Sequence, residues 1–503
     1  MRQPRNLARR LGDWNVRRTR RAALAVLALL NVITLAAGIA VAQMMPPRLA
    51  ALRIPVAADG PVVRAGAVLP SISHSDATPT ATGLARLVAA DLPPGVPGYP
   101  VRVAIADAST GKLLYSDDGD SLATPASTTK LVTATAALAV LGPDARFTTS
   151  VKEMPGGIVL VGGGDPVLAV HPYPKSDYPQ PATLSALAAS TARALKAKGR
   201  TRVSLGYDTS LYGGPGLAPG WPESYVSTGN VTPIVSLEVD QGRLTASGAP
   251  EDYDDPVNYR ARSTNPAGVA AAAFATLLEN DGITVTGRRH EVTAAKTAAT
   301  VASVSSPPLY AIVEQMLQES NNVIAENLGR HVALALGKPA TFAGAAGAVE
   351  TELRRLHVTT PISLVDTSGL SPQDGIAPET LLRVLEIDAG TKDPGGARGA
   401  ANVGGALAAS LRDVITGLPV AGFAGTLSPG GSDFGGIGGA ARGVVRAKTG
   451  NLSEVATLAG LVTDKNGDLL AFVFMEQNAP EGLQAGANAI DAAAAGLAAC
   501  GCG

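Results

Sequence analysis

Ser127 and Lys130 stand three residues apart, a spacing that puts both on one helical face, close enough for the lysine amine to take the proton of the serine hydroxyl. A serine hydroxyl is a weak nucleophile at neutral pH and needs such a base. The amine can serve only while neutral, and burial or a second cation lowers a lysine pKa enough for that. Lys448 is the natural second cation. It opens Lys448-Thr449-Gly450 after the apolar run that ends at Ala447, and its ammonium with the Thr449 hydroxyl would suit a substrate ending in a free carboxylate. Gly450 leaves the strand edge bare, so that a peptide can lie along it as an added strand. Between these elements lies Ser320-Asn321-Asn322. Ser320 and Asn322 do not share a helical face and suit a loop between Met316 and Val323. From there Ser320 can relay a proton to a leaving amine, while the Asn322 amide holds Lys130 and a peptide oxygen of the substrate. Backbone N–H groups of Ser127 and Asn451 would meet the oxyanion.

Each triplet alone has a bland reading: a helix-start serine with a solvated lysine, a helix cap before Val323, a surface strand end. Their order along one chain favours serine acyl transfer that needs no histidine. The histidines (His74, His171, His290, His331, His357) are scattered, without H-E-x-x-H, and no serine occupies a G-x-S-x-G elbow. Each reads as a surface or packing residue. Gly162-Gly163-Gly164 lacks the Lys-Ser/Thr that would follow in a phosphate loop and reads as a turn after a strand. No metal and no cofactor is expected.

These residues need a scaffold. With 503 residues, 46% of them hydrophobic and 17% charged, the chain can bury the cores of two or three domains, which excludes a disordered or nucleic-acid-coating protein. Its net charge of −1 hides an arginine-rich start, because residues 1–21 carry about +7 and leave about −8 elsewhere. Ala22 to Ala42 holds no charge and is long enough to cross a bilayer, so the arginines predict a cytoplasmic N-terminus and an extracytoplasmic body. Ala40-Val41-Ala42 makes cleavage of a signal sequence, and secretion to the cell-wall space, the alternative.

The expected layout is a basic segment (1–21), a transmembrane anchor or signal sequence (22–42), a linker (43–81), a discontinuous catalytic domain (82–146 and 290–499), an inserted accessory domain (147–289) and a cysteine-containing tail (500–503). The insert follows from the long stretch between Lys130 and Ser320. Val101–Asp107 and Lys112–Tyr115 read as a hairpin, and Ser127–Leu141 and Ala485–Ala499 as helices. Val455–Thr463 and Asp468–Met475 flank an Asn466-Gly467 pair that favours a I′ turn. The fold class is therefore α/β (α+β), an antiparallel sheet flanked by helices. Cys500 and Cys502 lie too close in sequence for an unstrained bridge and are expected to be separate thiols, free or paired with another molecule.

The ordered set S-x-x-K, S-x-N, K-T-G marks β-lactamases and penicillin-binding proteins. The chain resembles the class C low-molecular-mass penicillin-binding proteins of the penicillin-binding protein 4 type over most of Thr82 to Ala499. The resemblance also rests on Leu160-Val161-Gly162-Gly163-Gly164-Asp165-Pro166, Ala218-Pro219-Gly220-Trp221, Asp366-Thr367-Ser368-Gly369-Leu370-Ser371, Ala424-Gly425-Thr426-Leu427 and Arg446-Ala447-Lys448-Thr449-Gly450-Asn451-Leu452. It implies a penicilloyl-serine transferase (β-lactamase-like) fold and D-Ala-D-Ala carboxypeptidase and endopeptidase activity on peptidoglycan stem peptides, with β-lactams as further ligands. It also implies Ser127 as acylated nucleophile, Lys130 as its base, Ser320 and Asn322 as proton relay and orienting amide, and Lys448 with Thr449 as carboxylate clamp. Asn451 stands where that family commonly has Thr or Ser. A β-lactamase is the first alternative, but needs no large insert. A non-catalytic penicillin- or wall-binding protein is the second, and the usual receptor needs a cytoplasmic signalling domain for which residues 1–21 are too few.

Overall fold

The computed structural model describes residues 79–92, 101–244, 260–391, 406–429, 439–479 and 482–502, all within one unit that runs from Ile72 to Gly503. The segment 22–42, read as anchor or signal, lies outside them. Among the described residues no helix is long and apolar enough to cross a membrane.

The chain begins its first sheet with β1 (Arg102–Asp107) and β2 (Lys112–Asp117), joined at a turn where Asp107 Oδ1 accepts from the backbone of Ser109 and Thr110. A second sheet follows, built from β3 (Thr148–Met154), β4 (Gly157–Val161), β5 (Arg202–Asp208), β6 (Thr284–Glu291) and β7 (Thr300–Ser305) in the order β6-β5-β4-β3-β7. Its β4–β5 and β5–β6 pairs are parallel and the others antiparallel. Position 289 falls inside β6, and β7 lies beyond it while pairing with β3. The short β8 (Ile362–Ser363) and β9 (Gly375–Ile376) form a ribbon. Finally β10 (Val445–Leu452), β11 (Val455–Thr463) and β12 (Leu469–Gln477) complete the first sheet, whose order β10-β11-β12-β1-β2 is antiparallel throughout.

The run Leu469–Met475 lacks polar alternation because both faces of β12 are covered. Leu470, Phe472 and Phe474 pack with Leu84, Val88 and Ile490 of two flanking helices, Ala81–Asp91 and Leu483–Ala499. Ala471, Val473 and Met475 face the larger core, with Leu131 and Leu138 of the helix Thr129–Leu141. That helix is apolar nearly all round because it runs through the centre of the larger core, where burying each leucine stabilises the fold by about 2 kcal/mol.

Two expectations need correction. The β11–β12 turn is not type I′, since only Gly467 takes a positive φ, at 88°. Asp464 Oδ1 accepts from Asn466 N and Asp468 N at 2.8 and 2.9 Å, which favours a type I turn followed by one left-handed glycine. Cys500 and Cys502 form a disulfide rather than separate thiols; past the helix end their Cα atoms lie 5.1 Å apart, within the range a bridge spans.

Candidate active site

Ser127 sits in the middle of a short 3-10 turn, Ala126–Thr128, directly before the helix that carries Lys130. The turn is held from several sides. Ala126 is left-handed at φ 47°, and the Pro125 carbonyl accepts from Thr128 Oγ1 at 2.6 Å and from Thr457 Oγ1 at 2.8 Å. Two glycines let neighbouring segments close onto it. A Cβ on Gly369 would strike the Ala126 carbonyl, and one on Gly450 would strike Thr457 Oγ1 and stand 2.8 Å from Pro125 O and 3.0 Å from Ser127 N. The bare side of Gly450 therefore faces the Ser127 turn. The same glycine lets β10, the edge strand of its sheet, approach the nucleophile.

Lys130 is fully buried, and its amine makes three hydrogen bonds: to Ser127 Oγ at 2.8 Å, Asn322 Oδ1 at 2.7 Å and Ser368 O at 2.7 Å. The last two partners are carbonyl oxygens, which only accept. When the amine loses a proton, its two remaining N–H groups stay on those oxygens and its lone pair is left facing the serine hydroxyl. Burial lowers the Lys130 pKa to about 7, against the opposing pull of Asp366 and Glu326. Burial, and not the expected second cation, is the lowering cause.

Ser320 and Asn322 flank the junction of two helices, Leu309–Gln318 and Asn322–Ala335. The expected loop is shorter, spanning only residues 319–321, with Ser320 turning the chain at φ 53° and Asn322 already in the second helix, which Asn321 Oδ1 caps by accepting from Ile324 N at 3.1 Å. Lys448, also fully buried, donates to Ser320 Oγ and to Thr449 O, both at 2.8 Å. Thr449 Oγ1 lies 3.1 Å from Thr426 Oγ1, and Asn451 is exposed near the end of β10. Ser127, Lys130, Asn322, Ser320, Lys448, Thr449 and Gly450 thus form one connected cluster, drawn from two turns, two helices and a strand.

Two buried carboxylates beside this cluster have no role that the sequence alone assigns. Asp366 is buried and accepts from Ser368 N at 3.0 Å, Gly369 N at 2.6 Å, Ser371 N at 2.7 Å and Trp221 Nε1 at 2.8 Å, so it shapes the loop whose carbonyl holds Lys130. Glu326 accepts from Thr367 N at 3.1 Å, and burial raises its carboxyl to about 7. The motifs around Trp221 and Asp366 were visible as resemblance, but not as support for a lysine. His331 is a packing residue, stacked on Phe147 with Nε2 2.9 Å from Gly164 O, and burial lowers its pKa to about 4. Among the described residues no group of three or more His, Cys, Asp or Glu is placed to hold a metal ion.

The sequence profile of the D-Ala-D-Ala carboxypeptidase 3 (S13) family matches residues 85–254 and 243–499, which takes in every residue of this cluster. The chain belongs to that family. It is a family of serine-type D-Ala-D-Ala carboxypeptidases, hydrolases that bind penicillin. Carboxypeptidase DacB of Mycolicibacterium smegmatis is 38% identical over 86% of this chain and 87% of its own length, and a carboxypeptidase of Mycobacterium tuberculosis is 35% identical over 88% and 89%. Penicillin-binding protein 4 of Haemophilus influenzae has the same fold at 22% identity, with a TM-score of 0.60 over 78% of this chain and 93% of that one. The penicilloyl-serine transferase fold is thereby established.

Proposed function

We propose that this protein removes the terminal D-Ala from peptidoglycan stem peptides through an acyl-Ser127 intermediate. The observation that carries this is the Lys130 amine, buried to a pKa of about 7 and left by its two carbonyl partners with only Ser127 Oγ to act upon. Neutral Lys130 takes the Ser127 proton as Oγ bonds to the penultimate D-Ala carbonyl carbon. The N–H groups of Ser127 and Asn451 receive the oxyanion. Ser320, bonded to Lys448, relays the proton taken up by Lys130 to the departing amine as the C–N bond breaks, which leaves Lys130 neutral to act again as base when water attacks the ester. Lys448 and Thr449 bind the substrate carboxylate.

The same attack on a cross-linked stem gives DD-endopeptidase activity, and attack on a β-lactam gives a penicilloyl-serine. The second sheet and its helices, within 147–289 and reaching β7, act as an accessory domain. Residues 22–42 anchor the protein in the cell membrane with the catalytic body outside, as the arginine-rich start and uncharged stretch favour.

The test is labelling of the ectodomain, from about Pro47 onward, with a fluorescent penicillin beside a Ser127→Ala control, with intact-mass detection and a D-Ala release assay on a stem pentapeptide. A long-lived adduct lost in Ser127→Ala, with D-Ala released by the parent, is expected. No adduct on the folded protein would defeat the acyl-serine reading, and rapid hydrolysis of the drug would turn it into a β-lactamase.

A further inference from the structure

The Ser320-Asn321-Asn322 turn is held from outside its own pair of helices. Asn322 Nδ2 donates to Asn230 O at 2.9 Å, and Asn321 Nδ2 donates to Gln241 Oε1 at 2.6 Å. Both acceptors come from the stretch between Lys130 and Ser320. One buried guanidinium ties them together, since Arg262 donates from Nε to Gly229 O and from Nη1 to Gln241 O, each at 3.0 Å. Two neighbouring asparagine amides of the turn are thus gripped by two loops that share a single arginine.

The Gln241 loop has a backbone that its local sequence would not choose. Asp240, Gln241 and Gly242 have φ of 49°, 55° and 68° in succession, and only the glycine adopts that region freely. Tertiary bonds must impose it. Ser263 N donates to Gly242 O at 2.7 Å, and a Cβ on Gly242 would run into Thr232 Oγ1, which itself donates to Ser263 O at 2.9 Å.

We propose that Gln241 and Arg262 are positioning residues of the acylation site, forming a brace that sets Asn322 against Lys130 and Ser320 against Lys448. With Nδ2 anchored on Asn230 O, the Asn322 amide cannot flip, so its oxygen faces the lysine amine. With Nδ2 shared between Gln241 and Glu319 Oε2 at 3.0 Å, Asn321 keeps its cap and holds the left-handed Ser320 in register. Without Gln241, only Glu319 restrains that amide on its donor side, and the turn loses its tie to the second loop. This brace rests on the acyl-serine reading and adds to it a use for the sequence between the first two catalytic elements.

Two variants of the full chain test the brace. Gln241→Asn keeps an amide and suits a left-handed backbone better than glutamine, but its carbonyl falls short of Asn321 by roughly 1.5 Å. Arg262→Lys keeps the charge and loses the fork that spans two carbonyls. Each is expected to slow acylation by fluorescent penicillin, and kcat for D-Ala release, by roughly five- to tenfold. KM should stay within about twofold, and the Tm of Gln241→Asn should match or exceed the parent. Parent-like rates in both variants, a rise in KM at unchanged kcat, or losses that merely follow Tm would overturn the brace. A parent that forms no adduct removes the acyl-serine reading and the brace with it, an outcome seen before either variant is made.

Discussion

Acylation should report the protonation of Lys130 directly. Its pKa of about 7 means that the amine is half neutral at pH 7, about one-tenth neutral at pH 6 and about nine-tenths neutral at pH 8. The acylation rate should therefore fall about fivefold from pH 7 to pH 6 and gain less than about twofold from pH 7 to pH 8. Stopped-flow measurement with a penicillin that does not ionise between pH 5 and 9, at constant ionic strength, reads this limb without product release. A rate flat between pH 6 and 8, or one that falls as pH rises, would refute a lysine base. The same shift has a stability cost with a definite sign. The unfolded lysine titrates near its ordinary 10.5, so between about 7 and 10.5 the unfolded state binds more protons. The penalty is fully present below pH 7, roughly 5 kcal/mol, and is released as pH climbs toward 10.5. Burial that makes Lys130 a base thus destabilises the fold in the working range.

Glu326 ionises in the same window, and its carboxylate opposes the lowering of the Lys130 pKa. Glu326→Gln keeps an acceptor for Thr367 and removes that charge, so the acylation midpoint should move to lower pH by roughly half a unit to one unit, measured by the same stopped-flow profile. Gly450→Ala places a methyl group against Thr457 Oγ1 and the Ser127 turn. It should cost about 1–3 kcal/mol in thermal unfolding and at least about tenfold in acylation.

The sheet, the nucleophile helix and the chemical triplets were legible because each writes a local pattern: the apolar run of β12, the apolar helix after Ser127, the turn signal at Asp107 to Gly111. The errors came where a side chain outside the pattern decided the geometry. Asn466-Gly467 suggests a I′ turn until Asp464 captures the two amide hydrogens around it. Lys448 reads as the cation that lowers Lys130, but burial is the cause. Nothing in the spacing of Asn230, Gln241 and Arg262 marks them as partners of Ser320-Asn321-Asn322, because β6 and β7 intervene between them and that turn in sequence.

The residues that do the chemistry sit beside residues the chain would avoid. Ala126 precedes the nucleophile with φ 47° and Ser320 is itself left-handed at φ 53°, each at a cost of roughly 1–2 kcal/mol for a residue with a side chain. Local sequence cannot hold such conformations, so distant contacts must. The Ala126 carbonyl is trapped against Gly369, the Pro125 carbonyl by Thr457, and the Ser320 turn by Asn321 and its two partners. Relaxing any one of these contacts would let the strained residue return to an ordinary φ and carry Ser127 or Ser320 away from its lysine. The glycines and threonines around the site should therefore tolerate substitution less well than their lack of chemistry suggests, because they keep two hydroxyl groups where two buried amines can reach them.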